Sequence, residues 1–103
     1  MSPNKADDFN KILLATISEV LDFSDVVLNF LELNSSFKRG EIMKNANALS
    51  CGLRELFGDS GAIIEDIILK RVYQKLEIPS EGKKGTFAEK LSYAYKCFSK
   101  KGK

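Results

Sequence analysis

The chain contains no histidine, and its two cysteines, Cys51 and Cys97, lie far apart in sequence. Losing the imidazole removes the commonest general base, the commonest metal ligand and every Ser/His or Cys/His nucleophile arrangement. Neither cysteine has a CxxC spacing. Cys51 falls inside a helical pattern and Cys97 adjoins Phe98, which predicts reduced thiols buried as small apolar side chains. A disulfide between them is the alternative for an intracellular hyperthermophile protein. No apolar run reaches the roughly 18 residues of a membrane span. The opening Met-Ser-Pro-Asn-Lys-Ala-Asp-Asp lacks the apolar core of a signal peptide. These absences predict a cytoplasmic protein with no catalytic centre, cofactor, metal or membrane contact.

What is present suits a folded domain. At 103 residues, 44% apolar and 29% charged, the composition is that of a globular protein. A chain of this length buries roughly 65% of its unfolded surface, enough for a single core. We therefore expect one helical domain over residues 1–103, with flexible ends at about 1–6 and 99–103. The net charge of +2 conceals an asymmetry: residues 1–37 hold two lysines against six acids, net −4. From Gly82 onward seven lysines face only Glu89, net +6. One reading is anion contact through Lys83, Lys84, Lys90, Lys96, Lys100 and Lys101. The other is a solvated tail, or the two ends of the chain facing each other across the fold or a dimer.

Polar residues from Asp8 to Glu32, with Ala15 filling one gap, recur at steps of three and four, which predicts one helix from Asp7 to Asn34 with a single wet stripe. A break near Asp22 to Asp25, with Ser24 or Asp22 capping a second helix, is the competing reading. Asn34 to Ser36 reads as a loop. Lys38 to Phe57 then places Ile42, Ala46, Leu49, Leu53 and Leu56 on one helical face. Gly58 sits where a left-handed cap ends that helix, and Asp59 or Ser60 can cap the next. In Ala62 to Leu76 the apolar positions run almost round the cylinder, predicting a central buried helix at about 60–77 that Pro79 ends. Ser80 to Gly85 reads as a mobile loop. Thr86 and Glu89 form a capping box opening a last helix, which turns Phe87, Leu91, Ala94 and Phe98 to one side. The fold class expected is all-α, a bundle of four to five helices.

Candidate sites are few. Gly58-Asp59-Ser60-Gly61 matches a serine-hydrolase tetrapeptide, but no histidine exists to activate Ser60 and the setting is helical. Its glycines leave backbone N–H groups open to an anion, yet Asp59 brings its own negative charge, which favours a capping role. A bundle-type carboxylate metal site needs inward Glu residues and a Glu-x-x-His pair, and most acids lie on expected solvent stripes. Tyr73, Phe87, Tyr93, Tyr95 and Phe98 among lysines suggest a stacking surface for nucleic acid. Helical spacing assigns most of them to the core, with Tyr93 beside Lys96 and Lys100 the exception. The wide apolar face of residues 9–33 predicts a self-association surface through Phe9, Leu13, Ile17, Val27, Phe30 and Leu31, hence a homodimer or a protein partner.

The stretch from Leu56 to Ala62, Leu-Phe-Gly-Asp-Ser-Gly-Ala, followed by Glu65, Ile68 and the run from Lys70 to Leu76, resembles the Nitrosopumilus output domain group, a small archaeal family of helical domains. There a Phe-Gly turn joins two helices and a Lys/Leu/Tyr-rich helix follows; here the turn carries an extra Asp-Ser before Gly61. The likeness covers about residues 49–98 and rests on packing motifs. It implies an archaeal, intracellular, all-α regulatory or signal-output module and supplies no catalytic residues. The expected function is thus non-catalytic interaction through a helical docking surface, with a nucleic-acid-associated regulator using the C-terminal lysines as the alternative.

Overall fold

In a computed structural model the chain is an all-α bundle. The structure describes residues 5–35, 37–78 and 85–101, with the side chain of Lys101 left out. Among the described residues five α-helices follow one another: α1 (Lys5–Val20), α2 (Ser24–Asn34), α3 (Ala46–Phe57), α4 (Ser60–Leu76) and α5 (Phe87–Lys101). A 3-10 segment, Arg39–Asn45, precedes α3. Pro79, Lys83, Lys84 and most of the loop expected at 80–85 lie outside the described residues. Of the ends expected at about 1–6 and 99–103, residues 5–6 lie in α1 and 99–101 in α5, and the others lie outside the described residues.

The competing reading of the N-terminal third is the correct one: the helix breaks at Leu21 to Phe23. A straight helix from Asp7 to Asn34 would be about 42 Å long at 1.5 Å per residue, beyond the longest dimension of the fold, 38 Å. Turning back lets Leu21, Val27, Leu28 and Leu31 all reach the core. Neither Asp22 nor Ser24 caps α2; Phe23 occupies the cap position and makes no side-chain hydrogen bond there. Ser24 is buried instead, its hydroxyl 3.2 Å from that of Ser18.

Lys38 to Phe57 is also not one helix. Its first half is the 3-10 segment, kinked at Glu41 (φ −141°, ψ 54°). Asn10 on α1 holds the kink: its side-chain amide donates to the Arg39 carbonyl (2.8 Å), and its oxygen accepts the Ile42 N–H (2.8 Å). Two backbone groups that an α-helix would have paired are thereby satisfied from outside, and Ile42 is fully buried.

Two glycines are required by contact. A Cβ on Gly52 would overlap Leu31 Cδ2, so the missing side chain is what lets α2 close on α3. A Cβ on Gly61 would lie 2.8 Å from the Leu53 carbonyl oxygen, which keeps the α3–α4 corner tight. Gly58 has φ 59° and ψ −133°, positive as expected but outside the left-handed helical well, and its N–H donates to the Arg54 carbonyl (2.8 Å). Asp59 has helical dihedrals and makes no side-chain cap.

The core joins Phe9, Leu13 and Ile17 of α1 to Leu31, Phe37, Ile42, Leu49, Leu53, Ile68, Val72 and Leu91, all essentially without exposed surface. Helix α4 lies at its centre, touching α1, α3 and α5. It is not buried all round: Ile63 is 61% exposed and Ile67 38%. Glu77 ends α4 in the left-handed region (φ 57°, ψ 45°), and the N–H of Ile78 donates back to the Tyr73 carbonyl (2.9 Å), the wrap of a Schellman motif. The α5 capping box is present: the Thr86 N–H donates to Glu89 Oε1 (2.9 Å) and the Glu89 N–H to Thr86 Oγ1 (3.1 Å).

Candidate functional site

Helix α2 has two apolar faces. Val27, Leu28 and Leu31 point into the core, while Val26 (66%), Phe30 (37%) and Leu33 (84%) remain exposed, together with Phe23 (52%) just before the helix. The spacing from Phe23 to Val26, Phe30 and Leu33 is three, four, three, which sets the four side chains in one ridge on the outer side of α2. Beside it, where α3 ends, stand Leu56, 38% exposed, and the half-buried Phe57. The Phe23 and Phe57 rings are 6.2 Å apart and tilted at 46°. Between α2 and α3, Phe23, Val26, Val27, Phe30, Leu56 and Phe57 line a groove of about 190 Å³. That is smaller than the roughly 300–1,000 Å³ of small-molecule sites. It suits a side chain presented by another surface.

This is not the surface expected from the sequence. Phe9, Leu13, Ile17, Val27 and Leu31 are all buried within the fold, and of the six residues named for self-association only Phe30 is exposed. Residues 9–33 carry more than one apolar stripe, and the break after Val20 turns the stripe of α1 and the inner stripe of α2 inward. Phe23, Val26, Leu33, Leu56 and Phe57 were missed, although the 23, 26, 30, 33 spacing is visible in the sequence as a second stripe.

A second, polar pocket of about 520 Å³ lies among α3, α4 and the start of α5. At its wall Glu65 is buried, an exception to the expectation that most acids face solvent. Ser50 Oγ donates to Glu65 Oε2 (2.6 Å), and Arg54 donates to both carboxylate oxygens (3.4 Å each). A buried carboxylate requires such partners. Both its oxygens already hold donors, so the cluster acts as a clamp between α3 and α4. The same carboxylate raises the pKa of the Arg54 guanidinium, through its hydrogen bond and then its charge. Cys51, on the wall of this pocket, is exposed and not buried as expected; Cys97 is half-buried, and both thiols are free. Among the described residues no group of three or more His, Cys, Asp or Glu side chains gathers to hold a metal.

Of the expected anion contacts, Lys83, Lys84 and the side chain of Lys101 lie outside the described residues. Lys90 is half-buried at the polar pocket, and its carbonyl accepts the Tyr73 hydroxyl (2.9 Å). Burial raises the pKa of that phenol, keeping it a neutral donor. Lys96 and Lys100 are exposed on α5. Lys96 borders a shallow hollow of about 330 Å³ with Ala88, Glu89, Ser92 and Tyr93. The Tyr93 ring stacks on Tyr73 at 6.3 Å, so one of its faces is already covered.

No helix among the described residues is long and apolar enough to cross a membrane. Comparison with family models, with curated proteins and with solved structures gave no match to this chain.

Proposed function

We propose that the protein is a non-catalytic interaction or signal-output module of the cytoplasm, working by docking a helical partner onto the outer face of α2 and the end of α3. One observation carries this reading: Phe23, Val26, Phe30 and Leu56 stand exposed around one apolar groove, with Leu33 continuing the exposed ridge of α2. Such a surface gains by burial, and no reacting group is needed. The resemblance to the archaeal output-domain group agrees with a regulatory module. Amide shift mapping against helical peptides, with sedimentation of the protein alone, tests the reading. Changes should centre on residues 23–33 and 55–57. If self-association and every peptide leave those amides unmoved, the docking reading is wrong.

The second reading, nucleic-acid binding, draws on Lys96 and Lys100 exposed along α5. Anisotropy of labelled DNA and RNA across a salt series separates the two, because phosphate contacts release counterions and weaken steeply with salt. Micromolar binding that disappears when the α5 lysines are neutralised would make this reading primary.

A further inference from the structure

The chain segments that line the α2–α3 groove are free of positive charge. Between Lys11 and Lys38 there is no lysine or arginine, nor is there any between Arg54 and Lys70, and these two stretches supply every lining residue. Asp22, Asp25, Glu55 and Asp59 flank the lining residues in sequence, and all four are exposed. Two arginines close in sequence are held in ion pairs, one of them in part with Asp25. Arg54 pairs with Glu65 at 3.4 Å, and Arg39 lies along the polar edge of α2, 3.2 Å from Glu32 and 3.6 Å from Asp25. Asp22, Glu55 and Asp59 take part in no salt bridge among the described residues. The groove is therefore apolar, and the segments that form it carry exposed acids and no cation.

That charge pattern selects the occupant. A second copy brings the same acids and no lysine or arginine in its own groove segments, so two grooves docked face to face offer each other no charge complement. The chain's own basic helix does not supply the complement either, since Phe87, Leu91 and Ala94 of α5 are in the core. The ridge on α2 has the three-four spacing by which one helix reads the apolar seam of another. We infer that the groove takes an amphipathic helix of a different protein, with apolar residues at i, i+3 or i+4, and i+7, flanked by lysine or arginine. This inference rests on the docking reading and names its partner class.

The test uses the full chain and two synthetic helical peptides with the same leucine ridge, one flanked by lysines and one by glutamates, titrated by anisotropy near physiological salt. The lysine peptide should bind at least tenfold more tightly, with amide shifts at residues 23–33 and 55–57. Combined Asp22→Asn, Glu55→Gln and Asp59→Asn should shrink that ratio to threefold or less. Val26→Ser with Leu33→Ser, both at exposed positions, should weaken the lysine peptide at least tenfold while leaving the circular dichroism unchanged. Equal binding of the two peptides in the groove overturns the charge inference and leaves the docking reading standing. A dimer in sedimentation that the double serine variant dissolves does the same, making a second copy the occupant. Lysine-peptide binding that survives the double serine variant is surface adhesion, and both the inference and the docking reading then fall.

Discussion

Helix α2 is more apolar in sequence than α1, yet α1 buries its large side chains and α2 leaves a face of them in water. The difference lies in neighbours. Helix α1 rests on α4, α5 and the 3-10 segment, so Phe9, Leu13 and Ile17 are covered from several directions, Phe9 also by the rings of Tyr95 and Phe98 at 5.4 and 5.7 Å. Helix α2 lies at the edge, chiefly against α1 and α3. Its inner stripe completes the core, and among the described residues its outer stripe meets only the end of α3. Apolar content alone does not say which surface is structural and which is for a partner; position in the bundle does.

The sharpest way to break this comparison is to truncate one residue from each helix. Phe9→Ala removes a fully buried ring and should cost about 3–5 kcal/mol, enough to threaten folding of a small domain. Val26→Ala, at an exposed site, should stay within about 0.5 kcal/mol. Urea unfolding of the two variants measures both. Similar losses would mean that α2 is covered in solution, by self-association for instance.

The next effect probes how α2 is held. Gly52→Ala drives a methyl into Leu31, and overpacking of a buried site costs about 1–3 kcal/mol, against a gain of up to about 1 kcal/mol from replacing a helical glycine. A net loss of about 1 kcal/mol is expected. In a Leu31→Ala background the added methyl has room, so the same substitution should become neutral or stabilising, a coupling a double-mutant cycle reads directly. Additive effects would mean that α2 and α3 are not in contact at Gly52. On the α1 side, Asn10→Ala leaves the buried Ile42 N–H without its acceptor and should cost about 1–3 kcal/mol. Faster hydrogen exchange at Ile42 would accompany the loss. Little change would show that Arg39, gripping α2, is what fixes the 3-10 segment.

These residues also show how far the sequence could be read. Phe9, Leu13 and Ile17 repeat every fourth position, and Thr86 and Glu89 complete each other within one turn, so both features are local and legible. The break after Val20 carries no proline or glycine, and broken and continuous helices satisfy the same periodicity; the size of the globule decides between them. The kink at Glu41 depends on Asn10, some thirty residues away along the chain. The burial of Glu65 depends on Ser50 and Arg54, on another helix. For the site, sequence identified an apolar surplus in residues 9–33 but not which of the stripes would find partners. That choice belongs to tertiary packing, and it turned five of six expected surface residues into core.

The smallest effect concerns the ion pairs at the polar edges of the same two helices. Hydrogen bonding to Lys75 holds the Glu19 carboxyl below the ordinary glutamate range, with the charges of Lys75 and Arg71 adding to it, and this ties α1 to α4. Hydrogen bonds from the Arg39 side chain and backbone do the same for Glu32, tying α2 to the segment before α3. A carboxylate whose folded pKa is depressed stabilises the fold at pH values above its unfolded pKa, and that contribution is lost as pH falls through the lowered folded value. Both contributions should therefore be intact at neutral pH and disappear below the ordinary glutamate range. Because both pairs are exposed, the effect should be small and should shrink with added salt. Acid titration followed by hydrogen exchange separates the helices: Glu32→Gln should flatten the pH dependence of protection in α2 alone, and Glu19→Gln that of α1 and α4. If Glu32→Gln instead altered α1 and α4 equally, α2 would be part of the same cooperative unit as the core and not an edge helix free to receive a partner.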